Sequence, residues 1–220
     1  MRIPLTKYGL RELVALTLIF GGLAVLAAVA FWPLALLPGL LWVYVLAFFR
    51  DPPRRAQEEG AFVSPADGKV VDITNLDEGV LGTPAVRVGV FMNLFSVHVN
   101  RCPCPATVVS IEHHDGGYVD IRRSEAFDTN ESSLLKLTGH LGGREFPLAV
   151  RQIAGLIARR IVTAVEPGQS LQSGQRIGMI KFGSRCELIV PRDVVGEVAV
   201  RVGQNVYGGR TVLIRPKKNA

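Results

Sequence analysis

The sequence predicts a mainly β protein: a compact β-sandwich or barrel-like body carrying an N-terminal hydrophobic helical membrane hairpin. Three observations predict it. An uncharged stretch of 37 residues runs from Leu13 to Phe49. Beyond it, short apolar segments of strand length alternate with Gly, Pro and Asp. Near the C-terminus a turn-rich unit occurs twice, at an offset of 35 residues. A chain of 220 residues suits one sizeable domain plus an appendage. We assign residues 1–50 to the anchor and 51–220 to the β-rich domain.

The anchor is the first element. A spanning helix needs about 20 apolar residues, so the uncharged stretch is long enough for two short spans. Pro33 and Pro38 in "FWPLALLPG" place a turn near its middle, and Trp32 and Trp42 suit membrane interfaces. Arg2, Lys7 and Arg11 precede the stretch, and Arg50, Arg54 and Arg55 follow it. With positive charge held inside, both ends are cytoplasmic, and the soluble domain lies on the cytoplasmic face of the cell membrane. The competing reading is a helical hairpin buried in a soluble core. A cleaved signal peptide fits worse, because the apolar run is too long.

The net charge is +6, and residues 51–220 carry 21 Lys and Arg against 18 Asp and Glu. This mild excess suits a domain resting near an anionic leaflet. It argues against nucleic acid, since no basic stripe with interleaved aromatics occurs. Cys102, Cys104 and Cys186 form no paired framework and read as reduced thiols. A zinc site on the two nearby cysteines with His113 and His114 is the alternative. The "CPC" spacing is not that of a common zinc knuckle, so no metal is expected.

Residues 51–61 are polar and Pro-rich and read as a linker. Strands follow in "AFVSPADGKVVDI", "AVRVGVFM", "FSVHVN" and "ATVVSIEHH". Residues 122–146 are more polar and read as loops with one short helix or strand. Asn130 and Glu131 in that region are expected in a solvated loop, with pocket lining as the alternative. Residues 147–160 return to strand-like character, although part of them has arguable helical periodicity. "VEPGQSLQSGQRIGMI" and "VRVGQNVYGGRTVLI" then align Val165 with Val200, Gly168 with Gly203, Gln169 with Gln204 and Gly174 with Gly209. Between the two copies, "GSRCELIVP" is expected to be a central strand.

Three stretches hold reactive residue types. Asp67 in "VSPADGKV" reads on its own as half of an Asp-Gly turn. His98 in "MNLFSVHVN" reads on its own as a histidine within an apolar strand. Gly183–Ser184 in "KFGSRCELIVP" reads on its own as a bulge. Together, Ser184, His98 and Asp67 are the parts of an activated hydroxyl nucleophile, its base and an orienting carboxylate. No Gly-x-Ser-x-Gly elbow surrounds Ser184, so a standard hydrolase is not compelling. A serine directly after glycine offers another target, the carbonyl of Gly183 itself. The missing side chain leaves that carbonyl approachable and permits a strained backbone angle. An N-to-O acyl shift followed by β-elimination cleaves the chain and leaves a pyruvoyl group. A membrane-anchored adaptor without catalysis and a membrane-bound serine hydrolase are the other readings that these residues leave open.

"SPADGKV", "FSVHVNRCP" and "FGSR", in this order behind a hydrophobic N-terminus, resemble the phosphatidylserine decarboxylase proenzymes, in their short bacterial and archaeal form. The resemblance covers most of residues 50–215. It implies self-cleavage between Gly183 and Ser184, giving a β chain, 1–183, and an α chain, 184–220, that stay associated. Ser184 becomes the covalent pyruvoyl cofactor, His98 matches the base of self-cleavage, and Asp67 matches the carboxylate that orients it. The mature enzyme converts phosphatidylserine to phosphatidylethanolamine and CO2 through a Schiff base, with membrane lipid as substrate. Two departures stand out. Longer bacterial relatives carry "LGST" where this chain has "FGSR", so Arg185 replaces a threonine. They also carry a second histidine, in "YHRVH", where this chain has Phe95.

Overall fold

The computed structural model describes residues 5–119, 129–155, 160–181 and 183–217. The chain divides into two compact units, Met1–Pro53 and Arg54–Ala220.

The first unit is a helical hairpin. Helix α1 (Leu10–Ala30) and helix α2 (Leu36–Phe48) are joined by a short 3-10 turn that contains Pro33. The hairpin closes at its base, where the Thr6 N–H donates to the Phe49 carbonyl at 2.9 Å and Leu5 bridges Arg50 antiparallel. Gly9 is required there, because a Cβ at this position would overlap the Phe49 ring. The helical stretch Lys7–Ala30 is long and apolar enough to cross a membrane, whereas the second apolar stretch, Trp32–Phe48, is shorter. Only 6% of the first stretch's most apolar window is buried, so these side chains do not form a soluble core.

The second unit is built of fourteen strands among the described residues. They are β1 (Phe62–Val63), β2 (Gly68–Leu76), β3 (Ala85–Met92), β4 (Val99–Arg101), β5 (Ala106–His114), β6 (Ser132–Leu141) and β7 (Arg144–Ala154). There follow β8 (Ile161–Thr163), β9 (Ser170–Leu171), β10 (Arg176–Ile180), β11 (Ser184–Pro191), β12 (Val195–Val198), β13 (Asn205–Val206) and β14 (Val212–Pro216). Eight of them form one sheet in the order β13-β2-β3-β11-β7-β6-β5-β9, which curls into a half-barrel. Two three-stranded sheets, β1-β14-β12 and β4-β10-β8, complete the unit. All the paired strands are antiparallel.

β11 is the central strand expected from "GSRCELIVP", buried at every one of its eight positions. Side chains alternate across a strand. Cys186, Leu188 and Val190 therefore enter the main core with Val88, Val90, Leu135 and Val150, while Arg185 and Glu187 face the other side. The polar stretch expected to be mostly loop is in part the long hairpin β6–β7. Leu135, Leu137 and Leu141 of β6 and Phe146, Leu148 and Val150 of β7 sit at alternate positions and face the main core, and Gly142 and Gly143 turn the chain with φ of 59° and 79°, a conformation suited to a two-residue hairpin. The arguable helix also resolves into strand over 147–154, and residues 156–159 lie outside the described residues.

The internal repeat is structural. Val108 donates to the Gln169 carbonyl and accepts from the Gly168 N–H, at 2.9 and 2.8 Å. Val70 makes the same pair of bonds with Gln204 and Gly203, also at 2.9 and 2.8 Å. Each contact adjoins a register shift, between Val108 and Ser110 in β5 and between Val70 and Asp72 in β2. The two copies thus cap the two edges of the large sheet with two-residue strands, and short edges resist unwanted pairing.

Candidate active site

Three central strands stop at one end of the large sheet. β3 ends at Met92, β11 begins at Ser184 and β7 ends at Ala154, and the three residues lie side by side in register. Gly183 stands just ahead of β11 rather than inside it, with φ of 61°. Ideal space for a Cβ at Gly183 is open, with no atom within 4 Å. Glycine is therefore needed at this position for its left-handed backbone and not for room, because that conformation costs an L-residue about 1–2 kcal/mol. Ser184 is fully buried, and its hydroxyl donates to the Met92 sulfur at 3.6 Å.

A buried polar chain leads away from that sulfur, and none of it was visible in the sequence. The Asn100 amide donates to the Met92 sulfur at 3.7 Å, and the Gln152 amide donates to Asn100 Oδ1 at 2.8 Å. The Thr163 hydroxyl donates to Gln152 Oε1 at 3.1 Å, so the Ser133 hydroxyl, 2.9 Å away, donates to Thr163. Asn100 and Gln152 are fully buried. Each donor in this series satisfies the next acceptor, which is the condition for tolerating polar groups in a core.

His98 lies immediately before β4 and not within a strand, with its ring buried. Its Nδ1 is 2.9 Å from the Ser96 carbonyl oxygen. A carbonyl only accepts, so Nδ1 carries the hydrogen, and the neutral ring's basic lone pair is on Nε2. The tight turn from Asn93 to Ser96 supports this contact: the Ser96 N–H donates to the Asn93 carbonyl at 3.0 Å, and the Phe95 N–H donates to Asn93 Oδ1 at 2.8 Å. The His98 carbonyl accepts from the Ile180 N–H at 3.3 Å, which ties the loop to the strand that leads into Gly183.

Asp67 is not part of a hairpin turn. It is buried, and its carboxylate accepts from the Gly208 N–H at 2.7 Å and from Arg54 at 2.8 Å. The Arg54 guanidinium lies 5.5 Å from the centre of the Tyr207 ring. Gly68, which follows, opens β2 beside the end of β3, and a Cβ there would overlap the Phe91 carbonyl oxygen. Residue 67 therefore sits on one flank of β3 and Ser184 on the other, about two strand spacings or ~10 Å apart along the sheet. The hydrogen bond at Nδ1 of His98, expected to come from a carboxylate, is made by the Ser96 carbonyl.

Arg185 faces away from Ser184, into a cluster of buried charge. Its guanidinium meets Asp72 at 2.5 Å and Glu187 at 2.7 Å. Arg87 approaches the same two carboxylates at 3.5 and 3.7 Å. A Cβ at Gly89 would overlap the Arg185 guanidinium, so that glycine makes the space for it.

Asn130 and Glu131 are buried, contrary to the solvated loop expected for them. Asn130 donates to the carbonyls of Ala154 and Val119, each at 2.8 Å, and accepts from the Val119 N–H at 2.8 Å. It clamps the end of β7 next to Ser184. Glu131 accepts from the Tyr118 hydroxyl at 2.9 Å. The cysteines are core residues. Burial pushes the Cys102 thiol up to about 12 and raises Cys104 and Cys186 well above the ordinary range. Cys102 and Cys104 precede β5 whereas His113 and His114 end it, so the strand holds the two pairs ~25 Å apart. They form no common site for zinc.

Comparison with known proteins assigns the family. The model of the family described as phosphatidylserine decarboxylase matches residues 43–214. A phosphatidylserine decarboxylase proenzyme of Rhodopirellula baltica is 42% identical over 97% of this chain and 88% of its own length. One of Carboxydothermus hydrogenoformans is 43% identical over 99% of this chain and 100% of its own. A third, of Magnetococcus marinus, is 39% identical over 90% of this chain and 91% of its own. On these matches and this fold, the chain belongs to the phosphatidylserine decarboxylase family.

Proposed function

We propose that the chain is a self-processing decarboxylase that acts on phosphatidylserine and releases phosphatidylethanolamine and CO2. The observation that carries the self-processing is the left-handed Gly183 directly before a fully buried Ser184, at the start of the central strand. The carbonyl of the preceding residue is within reach of this hydroxyl before any external substrate enters.

His98 Nε2 takes the proton of Ser184 Oγ, and the oxygen attacks the Gly183 carbonyl carbon. The carbon–nitrogen bond breaks, and the proton passes to the Ser184 nitrogen. The result is an ester. Loss of the Ser184 Cα proton then expels the Gly183 carboxylate and leaves a carbon–carbon double bond. Water adds, ammonia leaves, and the residue becomes a pyruvoyl group. Asp67, held by the Gly208 N–H and Arg54, acts on His98 through its charge and not through a bond to Nδ1, which the Ser96 carbonyl holds. The products, residues 1–183 and 184–220, stay associated because β11 remains paired on both sides, to β3 and to β7.

The residues fit such a group. Residue 184 is enclosed between Ala154 and Met92 in register, and the polar chain from Asn100 is satisfied internally. The pyruvoyl ketone supplies an electrophile for the amine of the serine headgroup and an electron sink for the charge left when CO2 departs. His98, with Nδ1 fixed by Ser96, presents Nε2 as the single atom for proton exchange with the headgroup carbon. The apolar hairpin within residues 1–50 anchors the enzyme in the cell membrane. The basic residues at its ends place the remainder, residues 51–220, on the cytoplasmic face.

The test is the maturation of His98→Ala. Full-length, uncleaved protein is the expected product, while cleavage at the normal rate would show that His98 is not the base of self-cleavage.

A further inference from the structure

We propose that the turn from Asn93 to Ser96 is an interfacial wedge: Leu94 and Phe95 at its tip seat among the acyl chains of the bilayer and hold the mouth of the site against the lipid surface. This rests on the reading of Ser184 and His98 as the reacting centre.

The turn is built to display these two side chains. Asn93 and Ser96 close it from both ends: in addition to the bonds from the Ser96 and Phe95 N–H groups, the Asn93 N–H donates to Ser96 Oγ at 3.2 Å, and Ser96 Oγ lies 3.3 Å from Asn93 Oδ1. The polar residues are therefore spent on the turn itself. Its two central positions, usually Gly, Pro, Asn, Asp or Ser, hold Leu94 and Phe95, 37% and 74% exposed. An apolar pair at a rigid tip loses little further conformational freedom on meeting a partner.

Its place in the chain selects the partner. The turn leaves β3 one residue after Met92, the register neighbour of Ser184, and reaches His98 three residues after Phe95. The substrate class of the family has two acyl chains attached to the headgroup that must reach this centre, so its apolar portion lies at the rim. The same end of the large sheet carries Tyr207, next to Val206, the register partner of Gly68; it is 50% exposed and of an aromatic type favoured at membrane interfaces. That end also carries exposed Lys69, paired in register with Phe91 and Asn205, which suits anionic headgroups.

The test uses the full chain reconstituted in vesicles of phosphatidylcholine and phosphatidylserine. Because Asn93 and Ser96 close the turn, Phe95→Ser leaves its hydrogen bonds in place. Cleavage at 183/184 and turnover of dihexanoyl phosphatidylserine below its micelle concentration are expected to stay within twofold of the parent. Turnover of long-chain phosphatidylserine in vesicles is expected to fall about tenfold in kcat/KM, the scale of losing one buried aromatic side chain, and Phe95→Leu to recover most of it. Separately, Phe95→Trp in a Trp32→Phe, Trp42→Phe background is expected to give indole emission quenched by brominated lipid. Equal loss on both substrates, unchanged vesicle turnover, or emission that responds to protein concentration and not to brominated lipid would overturn the wedge. Quenching reads insertion whether or not the chain has cleaved, so a failure of maturation and a failure of the wedge are separate results.

Discussion

Replacing Arg185 by methionine removes the cation at the centre of the charge cluster on the strand that begins with Ser184. Glu187 is 1% exposed and loses contacts at 2.7 and 2.8 Å, retaining Arg87 at 3.7 Å. Asp72 is less buried and keeps Arg87 at 3.5 Å. Removing one partner of a buried ion pair costs about 3–5 kcal/mol, because the other charge stays buried without compensation. For a domain of this size each kcal/mol moves Tm by roughly 2–4 °C. Arg185→Met should therefore lower Tm by about 10 °C, measured by calorimetry in a Ser184→Ala background to keep cleavage out of the reading. Arg185→Met with Glu187→Met removes the stranded charge and should recover most of the loss. Because residue 185 adjoins the scissile bond, maturation in the Ser184 background should fall in the single variant and recover in the double. A single variant within about 2 °C of its parent, or a double variant no better than the single, would refute the assignment of Arg185 as the counter-ion that seats the start of β11.

Two further outcomes follow from the geometry. Asp67→Ala strands Arg54 and the Gly208 N–H and removes a negative charge ~10 Å from Ser184, so the half-time of cleavage should lengthen about tenfold in a pulse-chase gel; unchanged kinetics would return Asp67 to a purely local role. Cys102 holds its proton more tightly folded than unfolded, so its stabilisation is complete below pH ~9 and declines by about 1.4 kcal/mol per pH unit as pH rises toward the folded value near 12. Tm measured from pH 8 to 11 should therefore fall less steeply in Cys102→Ala than in the parent, and parallel curves would contradict it.

The parts of this molecule that are written locally were legible in the sequence. "GSRCELIVP" is apolar enough to be a buried strand, and β11 is central. The Val165 and Val200 units share Gly-Gln pairs, and those pairs make equivalent backbone bonds to Val108 and Val70. The serine, histidine and aspartate were visible as residue types within distinctive motifs. What failed was whatever depends on a distant or backbone partner. Strand β6 hides because it interleaves polar residues such as Lys136, whose partner Glu112 comes from β5. Asn100 and Gln152 meet across 52 residues of sequence, and no local pattern announces that. Asn130 looked like a loop residue and is a buried clamp. The group that holds Nδ1 of His98 is a main-chain carbonyl, which side-chain chemistry alone cannot display.

The most direct test of self-processing is the intact mass of the denatured protein purified from membranes, wild type beside Ser184→Ala. Two wild-type species are expected, residues 1–183 and 184–220, the second lighter than a serine-started peptide and blocked to Edman degradation, with Ser184→Ala a single full-length chain. A single full-length mass from active wild-type enzyme, or cleavage of Ser184→Ala at the same bond, would contradict it.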